Sequence, residues 1–165
     1  MAVVDVKSTL ITNRDAAPRT INPVINDGAR IKSKAATVEV TNGDSIGSTY
    51  RMFQVPSNAR VHGLKVFCDA ITSAAADIGG YDTTVNGSAV IDVDAYASAQ
   101  TIASANVLGI ECAFEARNID KIGNRVWQDL GLSVDPFKDV DIVATLTAAA
   151  TATGTLSMLL EYSVD

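Results

Sequence analysis

Two segments near the C-terminus alternate apolar and polar residues in the manner typical of half-buried strands. Over Thr155–Val164, apolar residues occupy every second position, and Leu159 is the one apolar residue on the polar side. Val140–Thr147 alternates in the same way. Because successive side chains of a strand point to opposite faces, each segment predicts an antiparallel strand with one buried face.

Shorter apolar or alternating segments predict further strands. They are Ala36–Thr41, Thr49–Val55, Arg60–Asp69, Gly79–Thr83 and Gly109–Ala116. Turn residues separate them, as at Pro56-Ser57-Asn58, where Pro fixes φ and Asn bonds to nearby backbone. About seven or eight strands at this spacing predict a mainly β protein, an antiparallel β-sandwich or jelly roll.

One short helix is predicted over about 118–131. Asn118 is a candidate N-cap, a stripe of apolar residues follows at helical spacing, and Gly131 ends the segment. The single tryptophan, Trp127, lies in this helix and is interpreted as an anchor in the core or in an interface. The stretch from Ile91 to Ala105 is ambiguous, and Asp92 or Asp94 is a candidate cap for a second short helix over Ala95–Ala103.

Residues 1–34 differ from the rest of the chain in pattern and in charge. Proline, asparagine and glycine interrupt any helical period, so this part is predicted to be an extended N-terminal arm on a sandwich domain of residues 35–165. The arm carries six basic and three acidic residues, a net charge of +3, whereas the remainder carries −9. We expect the arm to lie on an acidic neighbour, either a shell protein or another copy of this chain, although a simply solvated leader fits the same charges. The expected partner contacts are Arg14, Arg19, Arg30, Lys32 and Lys34.

Composition narrows the classes of function. Apolar residues make up 47% of the chain and charged residues 19%, against about 25% charged in ordinary soluble domains. A surface so poor in charge is expected to face other proteins. No segment has the features of a signal peptide or a membrane span. The basic residues lack interleaved aromatics, so nucleic-acid binding is not expected.

Residue types that carry chemistry are few and scattered. His62 is the single histidine, Cys68 and Cys112 are far apart in sequence, and no nucleotide-binding or hydrolase motif is present. The two cysteines are interpreted as small buried apolar residues, with a cross-strand disulfide as the alternative. Two loose acidic groups, Asp92 with Asp94 and Asp135 with Asp139 and Asp141, do not have the spacing of a calcium loop. We therefore expect no catalytic residue, metal site or cofactor.

Longer segments of the body resemble a known family. The run V-T-N-G-D-S-I-G-S-T-Y-R-M-F-Q-V-P-S-N-A-R-V of Val40–Val61 is similar to small head-associated structural proteins of tailed phages. Further similar segments are Cys68–Asp82, Ala95–Gln100, Val126–Pro136 and Asp141–Leu156. The resemblance covers about Val38 to Tyr162 and leaves the arm out.

The resemblance implies a capsid decoration (cement) protein with a jelly-roll-like sandwich, present in many copies, usually as dimers or trimers. Its partner would be the major capsid protein, and its place the outer surface of the virion after synthesis in the host cytoplasm. A tail or head–tail connector component is the first alternative. A non-catalytic carbohydrate-binding β-sandwich module is the second, although aromatic residues are only 5% of the chain.

Overall fold

The computed structural model describes residues 6–22 and 30–164. The chain divides into two compact units, Met1–Arg30 and Ile31–Asp165. Within the described residues, no helix is both long and apolar enough to span a bilayer.

The first unit contains a helix, α1, over Thr9–Asp15. Ser8 caps it, since its hydroxyl oxygen accepts a hydrogen bond from the Ile11 N–H at 3.4 Å. The following residues return toward the helix, where the Thr20 N–H donates to the Asn13 carbonyl at 3.1 Å. An extended arm is therefore not found over Thr9–Asp15. The proline that argues against a helix, Pro18, comes after α1 has ended, so it does not interrupt the turn that Ser8 starts.

The second unit is a sandwich of two four-stranded antiparallel sheets. One sheet has the strand order β1-β8-β3-β6 and the other β2-β7-β4-β5. The strands are β1 Lys32–Val40, β2 Thr49–Pro56, β3 Arg60–Cys68, β4 Ala75–Asp82, β5 Val90–Thr101, β6 Asn106–Glu111, β7 Asp139–Ala148 and β8 Gly154–Ser163. Every connection except β4–β5 crosses from one sheet to the other, which is the topology of an eight-stranded jelly roll. The predicted fold class is confirmed.

The strands with the clearest alternation lie inside the sheets. β8 pairs with both β1 and β3, and β7 pairs with both β2 and β4. Leu156, Met158 and Leu160 of β8 are buried, while the intervening residues are not. Because such strands are hydrogen-bonded on both edges and covered on one face, the period of two is strongest there.

Two local predictions differ from the structure. Residues 90–101 form β5, paired with β4, so the alternative of a helix over Ala95–Ala103 is wrong. The helix over about 118–131 is instead a 3₁₀ turn, Ile119–Lys121, followed by a short helix, α2, over Val126–Asp129. Gly123 and Asn124 lie between the 3₁₀ turn and α2 and belong to neither element. Arg125 is the N-cap of α2, so this helix starts independently of the 3₁₀ turn.

The seven connections gather at the two ends of the sandwich. Residues 41–48, 69–74, 102–105 and 149–153 form one end, which we call the small-residue end. Residues 57–59, 83–89 and 112–138 form the opposite end, which we call the Phe137 end. β8 finishes at the Phe137 end, because it runs antiparallel to β3, whose first residue follows the 57–59 loop. β1 starts at the same end, because it runs antiparallel to β8.

Candidate protein-interaction surface

The five basic residues expected to contact a partner are divided between the two units. Arg14, Arg19 and Arg30 belong to the first unit, and Lys32 and Lys34 belong to β1 of the second. Arg14 is exposed, and its Nε lies 2.9 Å from Asp15 Oδ1. Hydrogen bonds from Arg14 and Lys7 hold the pKa of Asp15 below its ordinary value. The contact of these residues with a partner stays a prediction.

Lys34 already has contacts within the body. Its Nζ donates to the Gln54 carbonyl of β2 at 2.5 Å and lies 5.6 Å from the centre of the Tyr162 ring. β1 and β2 belong to different sheets, so this side chain closes the sandwich along one edge. The assignment of Lys34 to the arm is corrected, because it lies in the third position of β1.

A buried serine organises the Phe137 end. The Ser57 N–H donates to the Lys138 carbonyl at 2.9 Å, and the Ser57 carbonyl accepts from the Trp127 N–H at 3.1 Å. Its hydroxyl donates to Asp135 Oδ1 at 2.5 Å. Ser57 thus joins the β2–β3 turn to α2 and to the segment that precedes β7.

Phe137 projects from this organised segment into solvent. Its side chain is 88% exposed, and its backbone has a φ of +50°, in the left-handed region that bulky residues avoid. The Phe137 N–H donates to Asp135 Oδ1 at 2.9 Å. The same carboxylate oxygen therefore holds both Ser57 and the turn that presents the ring.

Trp127, expected to anchor the core or an interface, is half-buried on α2. Its indole N–H is buried and has no hydrogen-bond partner among the described residues. The backbone contact with Ser57 makes Trp127 part of the support beneath the Phe137 end.

The connection from β6 to β7 is held to the sandwich by Arg117. Its Nη1 lies 2.5 Å from Asp129 Oδ2, its Nη2 donates to the Val61 carbonyl at 2.5 Å and its Nε donates to the Ala113 carbonyl at 2.8 Å. The guanidinium also lies 5.5 Å from the centre of the Tyr96 ring. The buried guanidinium of Arg117 therefore links the long β6–β7 connection to β3 and β5.

Asp92 and Asp94 line a polar cavity of about 550 Å³ beside this arginine. Burial, followed by the influence of Asp94, raises the pKa of Asp92. Glu115, Asn118 and Lys121 contribute to the same lining. Among the residues that the structure describes, no three potential ligands converge to hold a metal ion.

The other acidic group consists of side chains that have separate partners. Asp135 accepts from Ser57, Asp139 Oδ2 accepts from Gln54 Nε2 at 2.6 Å, and Asp141 Oδ2 lies 2.6 Å from Arg51 Nη1. Each carboxylate fixes a different neighbour, so the group does not form a single site.

The single histidine and the two cysteines have structural surroundings. His62 is half-buried, and its Nε2 lies 2.9 Å from Ser163 Oγ. Burial, together with Arg117 and Arg60, lowers the pKa of His62. Cys68 and Cys112 are both free and buried, as expected for small apolar residues, and they form no disulfide.

The small-residue end is nearly free of charge. Asp44 and Asp69 are its only charged residues, and both are used internally. Asp44 Oδ2 accepts from Tyr50 Oη at 2.6 Å, and Asp69 Oδ2 accepts from Thr155 Oγ1 at 2.6 Å. Backbone bonds join the loops to each other, as between the Gly43 N–H and the Ala150 carbonyl at 2.9 Å. This end is therefore a fixed surface that carries few charges.

Few sequence patterns point to the residues that organise the Phe137 end. Asp135-Pro136 is a turn signal immediately before Phe137 and was the one available hint. Ser57 and Arg117 carry no local pattern, because their importance comes from segments that are distant in sequence.

The second unit thus combines a jelly-roll core with one end that carries few charges and one end that presents an exposed aromatic ring. No protein-family model and no curated protein sequence matches the chain.

Two solved phage structures contain chains with a similar fold. A chain of the cyanophage Pam1 capsid asymmetric unit matches 92% of this chain and 97% of its own length, with a TM-score of 0.54 and 16% sequence identity. A chain of the capsid of Ralstonia phage GP4 matches 84% of this chain and 88% of its own length, with a TM-score of 0.59 and 13% identity. At these identities the similarity establishes a shared fold along most of both chains.

Proposed function

We propose that this chain is a structural protein of a phage virion that binds the capsid lattice from outside as a decoration (cement) protein. The observation that carries the proposal is the match of the jelly roll, over most of both chains, to chains of two phage capsid structures. The matched chains are nearly the same length as this one, so the proposal concerns the whole chain and not a shared fragment.

The surface of the sandwich supports a structural role. The small-residue end carries only two charged residues in its loops, Asp44 and Asp69, and these loops are fixed to each other. The core of a protein interface is likewise depleted of charge. The histidine, cysteine and acidic groups of the described residues are engaged in separate structural contacts. A non-enzymatic role as a bridge between neighbouring shell subunits accounts for these features.

Repeated weak contacts would give such a protein its effect. A standard protein interface buries about 800 Å² on each partner, and linked contacts strengthen one another through effective concentration. A dimer or trimer of this chain, bound to adjacent capsid subunits, would therefore resist their separation. The basic residues Arg14, Arg19 and Arg30 of the first unit, with Lys32 at the start of β1, are proposed to contact the major capsid protein.

The test measures binding of the full-length protein to head particles of the encoding phage from which this gene has been deleted. We expect saturable binding with many copies per particle, located on the outer surface by electron cryomicroscopy. Copies confined to one vertex would instead indicate a connector or tail component. Absence of binding to heads at any stage of maturation would refute the cement role.

The contribution of the basic residues is tested with matched charge changes. The variant Arg19→Gln with Arg30→Gln removes two positive charges from the first unit, and Lys65→Gln with Lys121→Gln removes two from the sandwich. We expect the first pair to weaken head binding more and to reduce its salt dependence, because fewer charges are then neutralised in the complex. Equal effects of the two pairs would contradict the assignment.

A further inference from the structure

Large apolar side chains are exposed at the Phe137 end, as they also are at Val107 and Leu108 of the edge strand β6. Phe137 is 88% exposed, Val85 is 93% exposed, and Val134 is also exposed. Phe137 lines one surface depression and Val85 lines a second, and the two depressions share Asp139. The exposed groups therefore belong to one continuous region of the sandwich, not to isolated positions.

The backbone that presents Phe137 is held in place, although the ring itself is exposed to solvent. Ser57 is only 2% exposed and binds the segment before β7 through its backbone and its hydroxyl, as described above. A side chain on a backbone that is fixed before binding loses less conformational entropy when a partner covers it. The left-handed backbone of Phe137 carries a conformational cost, and such strain is concentrated at functional positions.

The surroundings of Phe137 define the charge of its partner. The linings of the two depressions carry three carboxylates, Asp135, Asp139 and Asp141, and one ammonium group, Lys138. Lys138 Nζ lies 2.5 Å from Asp82 Oδ1, so a further carboxylate adjoins that ammonium group. The region is therefore negative around an apolar projection, and it complements an apolar recess bordered by lysine or arginine.

The same end also bears the attachment point of the basic segment. Lys32, the first residue of β1, pairs with Tyr162 near the end of β8, and both residues lie at the Phe137 end. Lys32 and Phe137 therefore lie at the same end of the sandwich.

We infer that the Phe137 end docks onto the capsid protein and that Phe137 is the anchor residue, inserted in an apolar recess of that protein which basic side chains surround. This inference rests on the proposed function and adds to it the docking face and the chemistry of the partner. The small-residue end then faces away from the shell.

The decisive variant is Phe137→Gly in the full-length protein. Glycine adopts a positive φ without strain, so the melting temperature is expected to stay unchanged or to rise. Head binding is expected to weaken by about 30-fold, the effect of removing a typical interface hot spot. Ile46→Gly is the matched control, because Ile46 is 70% exposed at the opposite end.

Charge is tested in the same binding assay. Asp139→Lys is expected to weaken binding to gene-deleted heads. Glu39→Lys, the same change of charge on an exposed residue of β1 next to the small-residue end, is expected to leave binding within about twofold, as for a charge outside an interface. An effect of Glu39→Lys that equals that of Asp139→Lys would contradict the basic border of the recess.

The outcomes separate the docking face from the cement role. If wild-type protein binds heads but Ile46→Gly, and not Phe137→Gly, abolishes binding, the docking face is the small-residue end and the inference is overturned. If Phe137→Gly changes the sedimentation of the free protein from oligomer to monomer and leaves head binding intact, Phe137 contacts a second copy, and the inference is again overturned. If wild-type protein does not bind heads, the proposed function itself fails.

Discussion

Arg117 and Asp129 form an ion pair inside the protein, with 6% and 1% of their side chains exposed and 2.5 Å between Nη1 and Oδ2. Arg117 precedes, and Asp129 follows, the break at Gly123 and Asn124 that divides the helix expected over residues 118–131. Burial raises the pKa of Asp129, and the adjacent guanidinium opposes this shift. Arg117 also donates to the carbonyls of Val61 and Ala113, so the pair fixes the long β6–β7 connection against β3.

Removing one member of this pair should destabilise the fold strongly. We expect Asp129→Ala to lower the free energy of unfolding by about 3–5 kcal/mol, because the Arg117 guanidinium stays buried without its counter-charge. Urea denaturation followed by the fluorescence of the single tryptophan measures the change. Asp15→Ala, which removes an exposed ion pair of the first unit, should leave the denaturation midpoint in place. Equal midpoints for Asp129→Ala and the wild type would show that the pair contributes nothing.

Gly79 of β4 should tolerate no side chain. A Cβ at this position would overlap the backbone of Asp92 and Val93 in β5, and backbone atoms of a paired strand cannot move aside. We expect Gly79→Ala to cost about 3 kcal/mol or more, at the upper end of overpacking effects. Gly123→Ala is the control, because a Cβ there meets no atom within 4 Å, and its cost should stay within about 0.5 kcal/mol. Similar melting temperatures for the two variants would contradict the close approach of β4 and β5.

Acid should loosen the small-residue end. Hydrogen bonds from Tyr50 and the Thr41 N–H hold the pKa of Asp44 below its ordinary value of 3.8, and bonds from Thr155 do the same for Asp69. Below pH 3.8 the unfolded chain binds protons that the folded chain still excludes, so stability falls as the pH drops through the lowered values. Amide hydrogen exchange near Gly43 and Thr155 is expected to accelerate there. In Asp69→Asn, the exchange of the Thr155 amide should no longer respond to pH beyond its intrinsic dependence.

The two thiols should be unreactive in the folded protein. Burial raises the pKa of Cys112 to about 12 and also raises that of Cys68. Because the thiolate is the reactive form, an aromatic disulfide reagent at pH 8 should label neither residue until denaturant is added. Rapid labelling of both cysteines in the native protein would show that the second unit opens far enough to expose Cys68 and Cys112 to the reagent.

The sandwich was predictable from the sequence because apolar residues recur at every second position of its central strands, a period that a helix does not have. β8 and β7 each lie between two partners, so every second residue is buried and the alternation is visible in the sequence. β5 was ambiguous because its residues are small and its pairing with β4 contains several register shifts. Alternation of apolar and polar residues therefore identifies a regular strand more reliably than a strand that register shifts interrupt.

The interaction surface was less predictable than the fold. The basic residues among the first 34 positions are expected to contact a partner on the basis of their charge alone. Lys34 instead contacts the Gln54 carbonyl and the Tyr162 ring within the sandwich. Ser57, Arg117 and Phe137 depend on contacts between segments 50 to 80 residues apart, as with the 78 residues that separate Ser57 from Asp135. A single sequence contains no local signal for such contacts.

The pairing of Lys32 with Tyr162 has a practical consequence for engineering. A peptide fused after Val164 would leave the sandwich next to Lys32, the first residue of β1, at the proposed docking face. It would therefore obstruct assembly on the shell. An insertion between Asn42 and Ser48 points the cargo away from that face. For surface display on particles, the β1–β2 loop is therefore a better graft site than the C-terminal end of β8.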